Sequence, residues 1–427
     1  VYFDRKIAAL LFTFLLSACS SQQPAAVFSN LNHLERVWQS ENGQLFSALQ
    51  NGQGELAIHN PETGEFYAYA RKDGRIQRTP SHAPVVGFAQ GQLLLGDLML
   101  TPAEVSSQEI WFRHDGINFY GILTVPRSDH PVPLIINAHG SGNAPATRFD
   151  WAASWYTTPG YATFIFDKRG TGRSGGSYTH NFEVLAGDLQ AAVSVLTQHP
   201  AIDSTFIGVA GYSQGVYVST LAASQDKRIR FLIASYGMTE SPLTEEMQIT
   251  RSLFEASYPQ LDWQAFEPFA MACAEAFALK HNDKWNEVGK YRRKWRDQIA
   301  AEDMQTTLVG DGCLPWPGFV LRLVGRSQLP PGLIWDYDPK PAMAGLNIPV
   351  IWQFGEADTT APSATSIRNV KTWIAAGKPF QLLSYADAEH GIYLTGSNEH
   401  GDEYRYKDPQ YIGDLINWLN RIKRAKQ

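Results

Sequence analysis

The sequence predicts an α/β fold: a mostly parallel sheet flanked by helices, interrupted by a helical insertion and preceded by a small β-rich region. Two observations carry this reading. Continuous apolar runs of strand length recur at 134–138, 162–166, 206–210, 231–234 and 350–354, the mark of strands buried on both faces. Between the second and third runs, Asn181 to Gln198 has helical spacing. Alternation of this kind implies parallel strands joined by helical crossovers that cover the sheet.

Composition agrees. The chain has 427 residues, 44% hydrophobic and 18% charged, against about 25% charged in an average soluble protein. Such a chain has material for a large core, and disorder is excluded as its bulk state. The net charge of −6, without a block of like charges, gives no signal for nucleic acid. Three cysteines are too few for a disulfide scaffold and fall in no zinc-ligand spacing.

The elements follow in order. Arg5 and Lys6 precede the apolar run Ile7 to Leu16, too short for the ~20 residues of a membrane span. A basic start, a short apolar core and small residues describe an export signal. Leu16-Ser17-Ala18-Cys19 resembles a bacterial lipobox. The resemblance implies a signal over 1–18 and a lipid on Cys19, with Ser20 favouring the outer membrane. The alternative is an ordinary cleaved signal with an incidental cysteine. Residues 19–27 read as a polar tether. From 28 to 104, short apolar runs broken by Asn42-Gly43, Asn51-Gly52 and Asp73-Gly74 read as hairpins of a β-rich accessory domain. It is too short for a β-propeller of several four-stranded blades.

The catalytic unit is read over 105–427. It opens with a hairpin around Asp115-Gly116 and ends with a last strand over Phe380 to Tyr385. The segment 239–346 contains no convincing buried strand; Met271 to Arg296 reads as helical, and Pro315, Pro317, Pro330 and Pro331 break the chain. This is an inserted helical cap.

The chemistry gathers after the apolar runs. Gly211-Tyr212-Ser213-Gln214-Gly215 follows 206–210 and precedes a helical stretch, the strand–turn–helix context that gives such a motif meaning. Glycines flank Ser213 because the turn crowds its backbone. His139-Gly140-Ser141-Gly142 follows 134–138, where open α/β sheets bind ligands. The N–H groups of Ser141 and Gln214 are the candidate oxyanion-hole donors, and His139 reads as structural. The loop from Asp167 to Ser174 has neither nucleotide-binding glycine pattern; Asp167 and Arg169 read as structural partners. A serine needs a base, and the base an orienting carboxylate. Asp358, in Gly355-Glu356-Ala357-Asp358, and His390, in Ala388-Glu389-His390-Gly391, supply them. Their order, Ser213, Asp358, His390, suits a triad built on an α/β sheet. Glu356 and His400 are the second choices for acid and base.

Together, HGSG, DKRGTGRSGG, GYSQG, GEAD and AEHG, each after a strand, resemble the α/β-hydrolase superfamily from about residue 105 onward. The DKRGTGRS loop and cap look most like bacterial esterases and the related serine aminopeptidase and prolyl oligopeptidase-type groups. The resemblance implies a serine hydrolase acting on carboxylic esters or, alternatively, an exopeptidase or amidase with the same residues. A non-catalytic binding protein on this scaffold is the third reading. It implies neither metal nor organic cofactor, a small ester or short peptide as substrate, and, with the lipobox, an envelope protein held by a lipid anchor. Glu245, Glu246 and Glu255 in the cap are candidates to hold a substrate amine, with exposed helix charge as the plainer role. Cys273 and Cys313, both in the cap, pair or stay as separate thiols. The cap tryptophans Trp263, Trp285, Trp295, Trp316 and Trp335 read mainly as packing.

Overall fold

The computed structural model describes residues 36–50, 56–60, 63–72, 75–148, 152–316, 329–397, 401 and 403–426. Cys19, His400 and the turns Asn51-Gly52 and Asp73-Gly74 lie outside them.

The first eight described strands are β1 (Arg36–Ser40), β2 (Leu45–Gln50), β3 (Leu56–His59), β4 (Phe66–Lys72), β5 (Arg75–Thr79), β6 (Val86–Ala89), β7 (Gln92–Leu95) and β8 (Leu98–Pro102). They form one antiparallel sheet in the order β5-β4-β3-β2-β1-β8-β7-β6. The Asn42-Gly43 turn, with Gly43 at φ +85, joins β1 to β2. Trp38, Phe46, Ile58, Tyr67, Leu93 and Leu100 share a single buried core. The Tyr69 hydroxyl donates to the Pro84 carbonyl at 2.9 Å. The sheet therefore curls over its own apolar face rather than lending it to a neighbour.

A second sheet holds β9 (Val105–His114), β10 (Ile117–Pro126), β11 (Val132–Ala138), β12 (Ala162–Phe166), β13 (Ile202–Tyr212), β14 (Ile229–Ser235), β15 (Val350–Gly355) and β16 (Phe380–Tyr385). Its order is β16-β15-β14-β13-β11-β12-β10-β9. The β9–β10 hairpin is antiparallel and β10 runs antiparallel to β12; from β12 to β16 every neighbour is parallel. All seven residues of β11 and all five of β12 are buried, as their unbroken apolar runs require. The chain moves from β11 to β12 on one side, then returns to place β13 on the other. That reversal opens a crevice at the strands' carboxyl ends.

Helices α1 (Ala152–Thr157), α2 (Phe182–Leu196) and α3 (Gly215–Gln225) follow the central strands. The cap contributes α4 (Pro242–Ser257), α5 (Trp263–Phe277), α6 (Trp285–Trp295) and α7 (Lys340–Gly345), and α8 (Ala364–Ala375) precedes β16. Starts are marked chemically. The Asn181 side chain accepts from Val184 N–H, that of Ser241 from Thr244 N–H, and that of Asp262 from Gln264 N–H, satisfying amides that a helix start leaves open. Beyond β16 come β17 (Tyr393–Ser397) and β18 (Glu403–Lys407), an antiparallel pair, and α9 (Pro409–Lys426). Phe380 to Tyr385 is thus the last strand of the central sheet, but the chain forms one more hairpin after it.

Successive side chains of a strand point to opposite faces. Leu134 and Ile136 join one core with Leu189, Val216, Leu232 and Trp352. Ile135 joins the other, with Trp155, Phe231, Ile351, Tyr411 and Leu415. Burying each such large side chain contributes about 1.5–3 kcal/mol.

The cap has its own core. Phe254 stacks on Phe266 at 4.4 Å, and Trp295 meets Phe266 edge-on at 5.2 Å. Met271 to Arg296 is helical in two pieces: the chain turns between α5 and α6, with Lys280 in the left-handed region at φ 61. Cys273 and Cys313 are joined as a disulfide. Trp263, Trp285, Trp295 and Trp335 are buried packing residues, whereas Trp316 is exposed.

Candidate active site

Ser213 sits on the turn between β13 and α3, in the left-handed region at φ 52, a conformation that costs a non-glycine residue free energy and persists only where the surroundings enforce it. The surroundings here are tight. A Cβ on Gly211 would lie 2.2 Å from Ser219 Oγ, and one on Gly215 would lie 1.9 Å from the Ala138 carbonyl oxygen. Both flanking glycines are therefore required by close approach, and the serine hydroxyl stands clear of the sheet edge.

The other two groups arrive from the neighbouring strand ends. Asp358 follows β15 and is buried; its Oδ1 accepts from the amides of Thr360 at 2.9 Å and Ala361 at 2.7 Å. Its Oδ2 lies 2.8 Å from His390 Nδ1. His390 Nε2 lies 3.1 Å from Ser213 Oγ. The carboxylate is thus fixed by two backbone donors and turns its free oxygen to the imidazole. That bond favours the tautomer that leaves Nε2 unprotonated toward the serine. Glu356, the second choice, is exposed and accepts from Ser384 at 2.5 Å, away from the histidine.

The His139 loop closes over the serine: a Cβ on Gly140 would meet Ser213 Cβ at 3.3 Å. Lys168, buried in the 167–174 loop, donates its Nζ to the Gly140 carbonyl at 2.7 Å. The Tyr178 hydroxyl donates to the Ser141 carbonyl. The Gln214 side chain lies 2.7 Å from His180 Nδ1. Among the described residues, neither the Ser141 nor the Gln214 amide donates to a backbone carbonyl. Burial and the Lys168 charge push His139 well below the usual imidazole range and His180 down to about 3. Burial draws Lys168 itself down to about 7. The back wall of the site is therefore neutral imidazole around one amine.

The rest of the 167–174 loop is structural, as the sequence suggests. Asp167 accepts from Thr147 and from the Arg173 amide; Arg169 makes a two-pronged pair with Asp188, at 2.7 and 2.6 Å. The role of Lys168 between them was not read from the sequence. Its place two residues past the buried run 162–166 is the available signal.

The cap carboxylates divide. Glu255 pairs with Arg251 at 2.8 Å on the surface. Glu246 corrects the expectation of exposed helix charge: it is buried and accepts from the Leu308 amide at 2.6 Å. It is a structural anchor of the cap, tying α4 to the Leu308 backbone. Glu245 is half-buried, with Oε2 3.4 Å from the Tyr217 hydroxyl. Burial pushes it up to about 7, with His390 and Asp358 acting on it in opposite directions.

A mixed sheet in this strand order, with a strained serine turn after β13, an aspartate after β15 and a histidine after β16, has the architecture of the α/β-hydrolase fold. Residues 129–307 match the family Hydrolase_4, serine aminopeptidase S33. The chain is 31% identical over 135 residues to thiohydrolase aneE of Aspergillus aculeatus, covering 31% of this chain and 42% of that protein. It therefore spans less than half the length of that relative. It is 22% identical to quorum-quenching protein AidA of Acinetobacter baumannii over 74% of this chain and 96% of that one. Among solved structures it resembles Est1E from Butyrivibrio proteoclasticus with ferulic acid bound, at 16% identity and a TM-score of 0.42, over 74% of this chain and 98% of that one.

Proposed function

We propose that the protein is a serine hydrolase that cleaves carboxylic esters through an acyl-enzyme. The observation that carries this reading is the unbroken line Ser213 Oγ, His390, Asp358, at 3.1 and 2.8 Å. Ser213 Oγ attacks the acyl carbonyl carbon while its proton passes to His390 Nε2. The carbonyl oxygen, now anionic, receives the amides of Ser141 and Gln214. The tetrahedral intermediate collapses, the ester C–O bond breaks, and His390 returns the proton to the departing alkoxide. Water, deprotonated by the same nitrogen, then attacks the acyl-serine and releases the acid. Asp358 holds the imidazole and stabilises its charged form throughout.

The test is covalent labelling by a fluorophosphonate together with turnover of p-nitrophenyl acyl esters. Both are expected to vanish in Ser213→Ala, where loss of such a nucleophile costs about 10⁶ in turnover. Activity retained by that variant removes the serine from the mechanism.

A second reading, an exopeptidase or amidase, is favoured by Glu245, a half-buried cap carboxylate that shares the electrostatic field of His390 and Asp358. Such a group suits a substrate carrying a free amine. Aminoacyl and dipeptidyl anilides, compared with the esters at equal concentration, separate the two; preference for an anilide replaces the first reading with the second. The proposal includes export and anchoring through Cys19, supported by the basic start, the apolar run and the lipobox-like ending. Cys19→Ala is then expected to leave the membrane fraction or to stop maturing, with ester turnover per molecule unchanged.

A further inference from the structure

Lys407, the last residue of β18, is buried at 5% exposure. Its backbone is tied to the N-terminal sheet. The Lys407 amide donates to the Gly64 carbonyl at 2.6 Å, and Glu65 bridges to Tyr406 one step along. The approach is so close that a Cβ on Gly64, which sits at φ +73, would lie 1.7 Å from the Lys407 carbonyl oxygen. Its side chain runs the other way, inward. The amine lies 4.2 Å from the ring centre of Tyr393, 5.1 Å from Tyr236 and 5.5 Å from Tyr411, and Nζ donates to the carbonyl of Gly391.

Gly391 is the residue after His390. It and Ile392 both lie in the left-handed region, at φ 83 and 56; glycine takes that conformation freely, but the β-branched Ile392 does so at a cost. Two groups hold the loop from the end of β18 and the residue after it: the Lys407 amine on the Gly391 carbonyl, and the Asp408 amide on that of Ile392 at 3.1 Å. Tyr236, in the wall of the amine's cage, also meets the His390 ring edge-on at 5.2 Å. An amine in this place carries a desolvation cost that a methionine would not. Burial draws it down to about 7, yet charged or neutral it keeps an N–H for Gly391. The donor, then, is what the position needs.

We propose that Lys407 is a positioning residue for His390, and that through it the N-terminal sheet braces the loop carrying the base. This rests on the serine-hydrolase reading above. The brace runs from Gly64, through the Lys407 backbone and side chain, to the Gly391 carbonyl. It gives the N-terminal sheet a function in the reaction although none of its residues is placed among the reacting groups.

The test uses the full chain and p-nitrophenyl acetate, with Lys407→Met, Lys407→Arg and Gly64→Ala compared with wild type. Lys407→Met is expected to lower kcat about 10- to 100-fold, the scale of a base displaced by about 1 Å, with KM unchanged. Lys407→Arg, which keeps a donor, is expected to recover part of kcat. Gly64→Ala, which pushes on β18 without touching the amine, should lower kcat as well. Combined with Lys407→Met it should add little, since both break one brace. Wild-type kcat in a folded Lys407→Met overturns the proposal. If Lys407→Met does not fold, Gly64→Ala decides by kcat and by hydrogen exchange over 388–393, where unchanged turnover and protection reject the brace. Ser213→Ala is run alongside: an active Ser213→Ala defeats the serine-hydrolase reading itself, whereas an inactive one beside an undiminished Lys407→Met defeats the brace alone.

Discussion

The Lys168 amine and the Gly140 carbonyl, 2.7 Å apart, together decide which way the next amide faces. A trans peptide is planar, with its C=O and N–H pointing in opposite directions. Holding the Gly140 carbonyl toward Lys168 therefore turns the Ser141 N–H away from it. The Tyr178 hydroxyl, bound to the Ser141 carbonyl, fixes the far side of the same residue. Lys168→Met should free this peptide plane. Loss of one oxyanion donor costs about 10²–10³ in kcat, and a donor merely misaligned should cost less, on the order of tenfold. Steady-state kinetics on a p-nitrophenyl ester provides the measurement; an unaltered kcat would mean that Ser141 is oriented by Tyr178 alone.

Asp358→Asn keeps the shape of a side chain whose Oδ1 takes two backbone amides, so the fold should survive. The amide nitrogen would then face His390 Nδ1 and favour the tautomer with its proton on Nε2, toward Ser213. A kcat lower by about 10⁴ is expected, the scale of the corresponding change in a serine protease. Glu356→Gln, by contrast, should leave turnover near wild type. Reversed outcomes would transfer the acid's role to Glu356.

Acid stability follows from buried imidazoles. Burial and the Lys407 charge lower His59 to about 3, and burial and Lys168 lower His180 to the same level, against about 6.5 for the unfolded side chain. Between those values the unfolded chain takes up protons that the folded chain refuses. Stability contributed by these groups is thus present above about pH 6.5 and is lost as pH falls toward 3. His59 also accepts from Trp155 Nε1 at 3.3 Å, so the contact between the N-terminal sheet and α1 bears part of the loss. Melting temperatures from pH 7 to pH 4 should decline less steeply in His59→Gln than in wild type. Parallel curves would show that His59 contributes no share.

The Cys273–Cys313 disulfide closes a loop with a sequence separation of 40 inside the cap. Removing it as Cys273→Ala with Cys313→Ala should cost about 2–4 kcal/mol. Cleavage by a protease should then move into 239–346 first. A cap as resistant as in wild type, by gel and mass spectrometry, would show that the aromatic core around Phe266 is sufficient by itself.

Much of the candidate site is legible in the sequence. Strands β11 to β15 betray themselves because burial on both faces leaves no polar alternation, and Ser213 and Asp358 follow such strands, whereas His390 follows the half-buried edge strand β16. Asn181 announces the start of α2 because its side chain caps it. What stayed hidden depends on contacts between distant segments. Lys407 ends the stretch Tyr-Arg-Tyr-Lys, and nothing local in it shows that its amine ends beside Gly391. Glu246 has the same helical surroundings as Glu245 and Glu255, yet it is buried because the Leu308 amide happens to meet it. Lys168 looked like one more polar residue in a turn, because its partner, Gly140, belongs to another loop.

The proposed nucleophile and base, Ser213 and His390, are 177 residues apart in the chain. During synthesis Ser213 leaves the ribosome long before His390; at about 5–20 residues per second the interval is roughly 10–35 s. Throughout it the serine lacks His390, for most of it Asp358 as well, and the β17–β18 hairpin that follows the histidine does not yet exist. The growing polypeptide thus carries a dormant hydroxyl past everything it meets. On the proposed mechanism reactivity begins only after His390 has been made, so the order of the gene's codons acts as a delay on the chemistry.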